Sequence, residues 1–119
     1  MPHNNNDKIL SFLGLCKKAG ALETGEERVS LSQKKGKAKL ILTASDAGEN
    51  TLSKAAQIAD WGKLPILTLP FTKDVIGAAV GTRACAILSV TTAAMAKAVQ
   101  EKLTAENANK DEPEQTTAI

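Results

Sequence analysis

The architecture turns on KLILTASDAGENT, Lys39–Thr51. Leu40, Ile41 and Leu42 make a short, continuous apolar run, the pattern expected of a strand covered on both faces. The polar turn SDAG follows, and Asn50 or Thr51 can cap a helix carrying Leu52, Ala55, Ala56, Ile58 and Ala59 and ending near Gly62.

The same alternation continues on the C-terminal side. LPILTLP, Leu64–Pro70, reads as a strand with a proline before and after it. Thr72 caps a short helix through Val75, Ile76 and Ala79 to Gly81. ACAILSV, Ala84–Val90, is a further buried strand, and Thr91 or Thr92 caps a last helix through Met95, Ala98, Val99 and Leu103. On the N-terminal side, Asn6 or Asp7 can cap a helix whose Ile9, Leu10, Phe12, Leu13 and Cys16 share one side, ended by Gly20. Ala21–Thr24 is short enough for a strand entering a turn at Gly25. From Glu26 to Lys35 two patterns compete: RVSLS alternates like a strand, whereas acids first, lysines last and Gly36 afterwards suit a helix oriented by its dipole. The charge order favours the helix. Helices alternating with strands predict an α/β fold with helices on both sides of a sheet.

At 119 residues the chain is long enough for one core. The expected division is a disordered start over residues 1–6, a folded domain over 7–104 and an acidic disordered tail over 105–119, where large apolar residues give out. Between Asp7 and Thr104 there are 14 Lys and Arg against 9 Asp and Glu, whereas Ala105–Ile119 has one Lys and four acids. A basic domain makes nucleic acid a candidate partner. With two Phe, one Trp and no Tyr, recognition by stacked aromatics is disfavoured.

Catalysis has little to build on. The one histidine, His3, lies in the start, so no histidine is available in the fold for acid–base or triad chemistry, and no enzyme activity is expected. Cys16 and Cys85 are far apart in apolar contexts and read as buried thiols rather than a disulfide or a metal site. No metal and no cofactor are expected. No run of about 18 apolar residues suggests a membrane span, and MPHNNNDKIL lacks a secretory pattern, which implies a cytoplasmic protein.

Two regions are candidates for binding. Arg28, Ser32 and Lys35, spaced i, i+4 and i+7, form one polar stripe that could lie along a phosphate backbone. Lys34 and Lys35 equally suit the negative end of a helix dipole, so the patch also reads as a plain solvated helix end. At the other end of that helix stands TGEER, Thr24–Arg28. Gly25 permits an unusual backbone angle, free first-turn amides can meet a phosphate or a base edge, and a carboxylate can accept from a base amino group. The alternative is an acid pair that only stabilises the helix. SDAGENT could hold a small phosphate ligand, but Asp46 and Glu49 would repel it.

The strings GEERV, KKGKAKLILTASDAGENT, LPILTLPFTKDVIGAAVG and ACAILSV occur in an order that resembles the ribosomal protein family named after archaeal L-seven-Ae and eukaryotic L-thirty-e, in its YlxQ-like bacterial branch. The resemblance covers Lys8 to Leu103. It implies a three-layer α-β-α sandwich around a mixed four-stranded sheet, and binding of kink-turn or related RNA bends. It also implies an RNA face made of Gly25, Glu26, Glu27 and Arg28 with the loop Gly81, Thr82, Arg83 and Ala84. Lys35 matches a basic position reaching backbone phosphate, and Lys34 joins it. Lys37 and Lys39 read as charges at the start of a strand. Strong kink-turn binders of the family carry Asn-Glu where this chain has Glu27-Arg28, and a lysine at Leu31, contacts worth about 1–3 kcal/mol each by analogy with bidentate base readout.

The expected function is that of a monomeric, non-enzymatic RNA-binding protein of the translation apparatus, positioning bent RNA through helix-end amides, Arg28, Lys35, Lys73 and Arg83. The alternative is a protein-interaction module on the same sandwich.

Overall fold

The computed structural model describes the backbone of residues 5–118 and the side chains of residues 8–105. The expected start over residues 1–6 lies largely outside that range, as does His3. The elements are α1 (Asn5–Lys18), β1 (Leu22–Thr24), α2 (Glu26–Lys34), β2 (Leu40–Thr43), α3 (Glu49–Gly62), β3 (Ile66–Thr68), α4 (Lys73–Val80), β4 (Ile87–Val90) and α5 (Ala93–Ala118).

The four strands form one sheet in the order β1-β4-β2-β3. β4 runs antiparallel to both β1 and β2, and β2 runs parallel to β3, so the sheet is mixed. Alternation along the two central strands feeds two cores. Leu40, Leu42, Leu88 and Val90 face α1, α4 and α5, where they meet Ile9, Leu13, Ile76, Val80 and Val99. Ile41 and Ile87 face the other way and meet Val29 of α2 with Ala55, Ile58 and Ala59 of α3. The expected three-layer sandwich is therefore present. Burying each Leu or Ile side chain stabilises by roughly 1.5–3 kcal/mol, and all four residues of β2 are buried. β3 is an edge strand paired with β2 alone, and its side chains are largely exposed.

Several boundaries differ from the sequence reading. α1 begins at Asn5, so Asn6 and Asp7 lie inside the helix rather than at its cap. α3 is preceded by Gly48 with no side-chain cap, and Asn50 and Thr51 fall within its first turn. Thr72 and Thr92 do cap, their hydroxyls accepting from the amides of Val75 and Met95 at 3.3 Å. α3 ends on Lys63 in the left-handed region, φ 54° and ψ 49°. A non-glycine residue there costs about 1–2 kcal/mol. The last buried side chain described in α5 is Leu103, yet its backbone stays helical to Ala118, through the stretch read as a disordered tail.

Candidate functional site

β1, β2 and β3 run in the same direction, because β1 and β2 are each antiparallel to β4 and β3 is parallel to β2. Each of the three is followed by a helix, so α2, α3 and α4 all start at one end of the sheet. Backbone hydrogen bonds tie that end together. The Gly25 amide donates to the Ile87 carbonyl at 3.1 Å, the Ser45 amide to Phe71 at 2.8 Å, and the Cys85 amide to Lys73 at 2.9 Å. The Asp46 carboxylate accepts from the Lys73 amide at 2.8 Å, fastening the turn after β2 to the start of α4.

Gly25, Glu26, Glu27 and Arg28 are all exposed at the start of α2. Gly25 holds φ 92° and ψ 153°, outside the range comfortable for an L side chain, and no side chain caps the helix. The amides of Glu26, Glu27 and Arg28 precede the first intrahelical acceptor, so they point outward as donors. The Gly25 amide itself is spent on Ile87, which removes it from the set of free donors. Arg28 is 71% exposed and lies 3.8 Å from the Glu23 carboxylate, a surface pair that leaves the guanidinium accessible.

Gly81, Thr82, Arg83 and Ala84 form the exposed connection from α4 to β4. The connection folds back on α4 because Gly77 has no side chain. A Cβ there would stand 2.7 Å from the Arg83 carbonyl oxygen and 2.9 Å from the Ala84 Cα. Cys85, next in the chain, is buried against the backbone of Gly25 and Ile87. Burial pushes its thiol up from the usual range, partly offset by those backbone groups and by the charge of Lys17. The start of α2 and the α4–β4 connection are thus neighbours, with exposed Lys73 at the same end.

One expectation needs correction. Ser32 is only 5% exposed, and its hydroxyl donates to the Val29 carbonyl at 2.7 Å and lies 2.8 Å from the Ser89 hydroxyl. It faces the sheet and is not a surface contact, so the stripe shrinks to Arg28 and Lys35. Lys34 and Lys35 are exposed at the end of α2, as the sequence implies, roughly 13 Å from Gly25 at 1.5 Å per residue. The sequence reading missed the tie that Asp46 makes to α4. The pairing of glycines in GAAVG was a signal of close packing, whereas nothing local linked Asp46 to a helix 27 residues away.

Among the described residues no group of three or more His, Cys, Asp or Glu could hold a metal ion, and no helix is long and apolar enough to cross a membrane. What the end of the sheet offers is a set of outward amides and three exposed cations, Arg28, Lys73 and Arg83, set among the five carboxylates of Glu26, Glu27, Asp46, Glu49 and Asp74, a surface suited to hydrogen-bonded recognition of a ligand that carries both donors and anionic groups.

No family model matches the chain. Two curated relatives do. The RNA-binding protein YlxQ of Enterococcus faecium is 35% identical over 69 residues, covering 58% of this chain and 67% of that protein. The RNA-binding protein YlxQ of Bacillus subtilis is 30% identical over 80 residues, covering 67% and 79%. Among solved structures, a Bacillus halodurans protein of unknown function superposes with a TM-score of 0.75 at 28% identity, covering 82% of this chain and 97% of that one. A Giardia lamblia 15.5 kD RNA-binding protein shares the fold, with a TM-score of 0.65 at 17% identity and coverage of 91% and 92%.

Proposed function

Since the chain belongs to the family of the RNA-binding protein YlxQ, within the L-seven-Ae and L-thirty-e group, we propose that it binds structured RNA without catalysing a reaction. The RNA is a bent one of the kink-turn kind, and the protein serves the translation apparatus in the cytoplasm as a monomer. One observation supports this reading. The uncapped start of α2 and the α4–β4 connection are held side by side, which brings the amides of residues 26–28 and the exposed Arg28, Lys73 and Arg83 to one end of the sheet. Outward amides and Glu27 suit the edges of unstacked bases, and the cations suit the phosphates on either side of a bend.

The test is a salt titration of binding to a kink-turn RNA beside an unkinked duplex of equal length. Selective binding of the kinked RNA is expected, and Arg28→Ala with Arg83→Ala should weaken it well over tenfold and reduce its salt dependence. Unchanged affinity in that variant removes the proposed face. Glu27, Arg28 and Leu31, which stand where strong binders carry other residues, favour a second reading, a protein-interaction module on the same sandwich. Loss of every captured partner on nuclease treatment counts against it.

A further inference from the structure

The densest uncompensated charge of the fold lies at the opposite end of the sheet. Lys34 and Lys35 end α2, Lys37 and Lys39 lead into β2, and Lys63 ends α3; all five are exposed. Three contacts bring these segments together. The Lys39 amide donates to Val90 at 2.7 Å, and the Ile41 amide donates to Pro65 at 3.0 Å. The end of α3 packs on the end of α2 so closely that a Cβ at Gly62 would stand 3.0 Å from the Gln33 side chain. Asp60 is the one acid in these segments. By contrast, the helix-start end carries Glu26, Glu27, Asp46, Glu49 and Asp74 against Arg28, Lys73 and Arg83. A polyanion approaching the protein is therefore drawn first to the lysine end.

Structural roles account for only part of this cluster. The helix dipole explains Lys34 and Lys35, but Lys37 and Lys39 lie beyond the helix end. None of the five lysines makes an ion pair among the described residues, where the one pair is Arg28 with Glu23. Lys63 occupies a left-handed position that glycine would hold without strain, the kind of outlier from which a role for the side chain is inferred. Trp61, the only tryptophan, is 55% exposed in the last turn of α3, two residues before Lys63. A shallow groove lined by Glu23, Arg28, Leu31, Lys35 and Lys37 runs along α2 between the two ends.

We propose that this lysine end is a second RNA contact. It holds the phosphate backbone of the stem that leaves the bend seated at the α2 start, with Lys37, Lys39 and Lys63 on phosphates and Trp61 against the adjoining sugars. The proposal rests on the RNA reading above and extends it. The length of α2, roughly 13 Å, corresponds to about five base pairs of an A-form RNA stem at ~2.8 Å each, so a stem longer than that reaches the lysines and a shorter one does not.

The experiment uses the full chain and two fluorescein-labelled kink-turn RNAs, one with a short stem of about three base pairs and one with about twelve. Anisotropy is measured across a salt series, and Trp61 emission is followed in parallel with the unlabelled RNAs. The variant is Lys37→Gln with Lys39→Gln and Lys63→Gly. All three side chains are exposed, and the glycine relieves backbone strain, so the fold is retained. Expected are tighter binding of the long RNA by the wild type and a change in Trp61 emission with that RNA alone. The variant should bind the long RNA at least about tenfold more weakly, with a salt slope lower by about 2–3, and bind the short RNA as before. If the variant binds the long RNA like the wild type, the lysine end is idle and the α2-start reading stands. If the wild type binds neither RNA, the underlying reading falls and takes this one with it. A partner lost on the variant but retained after nuclease treatment makes the end a protein-docking surface and overturns the proposal.

Discussion

Replacing Ser32 by Ala should destabilise the protein and leave the RNA affinity of the folded molecule unchanged. The Ser32 hydroxyl has one proton, and it goes to the Val29 carbonyl at 2.7 Å. At the 2.8 Å contact between the two serines, the donor is therefore Ser89. Ser89 is 0% exposed on β4, so Ser32→Ala leaves a buried hydroxyl proton with no acceptor. Stranding such a group costs about 1–3 kcal/mol; a central value of about 2 lowers Tm by roughly 8–16 °C in a domain of this size. Ser89→Ala is milder, about 0.5–1.5 kcal/mol, because Ser32 keeps its bond to Val29. The double variant strands nothing polar. It should be less destabilised than the two single effects together by about 1 kcal/mol. Urea unfolding followed by circular dichroism measures all four proteins, and RNA affinity is measured well below the lowest Tm. Strict additivity refutes the coupling, and an affinity loss without a stability loss puts the hydroxyl on the RNA after all.

Two further outcomes can be checked. Gly77→Ala brings a Cβ within 2.9 Å of Arg83 and Ala84 backbone atoms, which cannot rotate away; the α4–β4 connection must shift, with a stability loss of about 1–3 kcal/mol in denaturant melts and weaker kink-turn binding. Burial raises the Cys16 and Cys85 thiols, so the folded state keeps protons that the unfolded chain releases. Their contribution to stability is then full below the unfolded thiol range of about 8.5 and is lost as the pH rises through the folded values. Tm measured from pH 7 to 10 should fall more steeply in the wild type than in a Cys16→Ala, Cys85→Ala variant, and parallel curves argue against it.

Local patterns were enough for the layers of this fold. The apolar runs at Leu40–Leu42 and Ile87–Leu88, the Thr72 cap and the charge order along Glu26–Lys34 each report an interaction between residues a few positions apart, and such interactions are written into the chain. The start of α2 was legible for the same reason, since Gly25 and the acids after it mark a helix start wherever they occur. Ser32 was not. On a helix its stripe with Arg28 and Lys35 spans about 60°, and whether the inner edge of that stripe meets solvent or the sheet depends on the rotation of α2 about its own axis. That rotation is fixed by Val29 in the core and by Ser89, 57 residues away. The separation of charge into two ends was equally hidden. It follows from β1, β2 and β3 running the same way, which places every following helix start at one end of the sheet and the lysines at the other. Strand direction is a property of long-range pairing, and no short stretch of residues contains it.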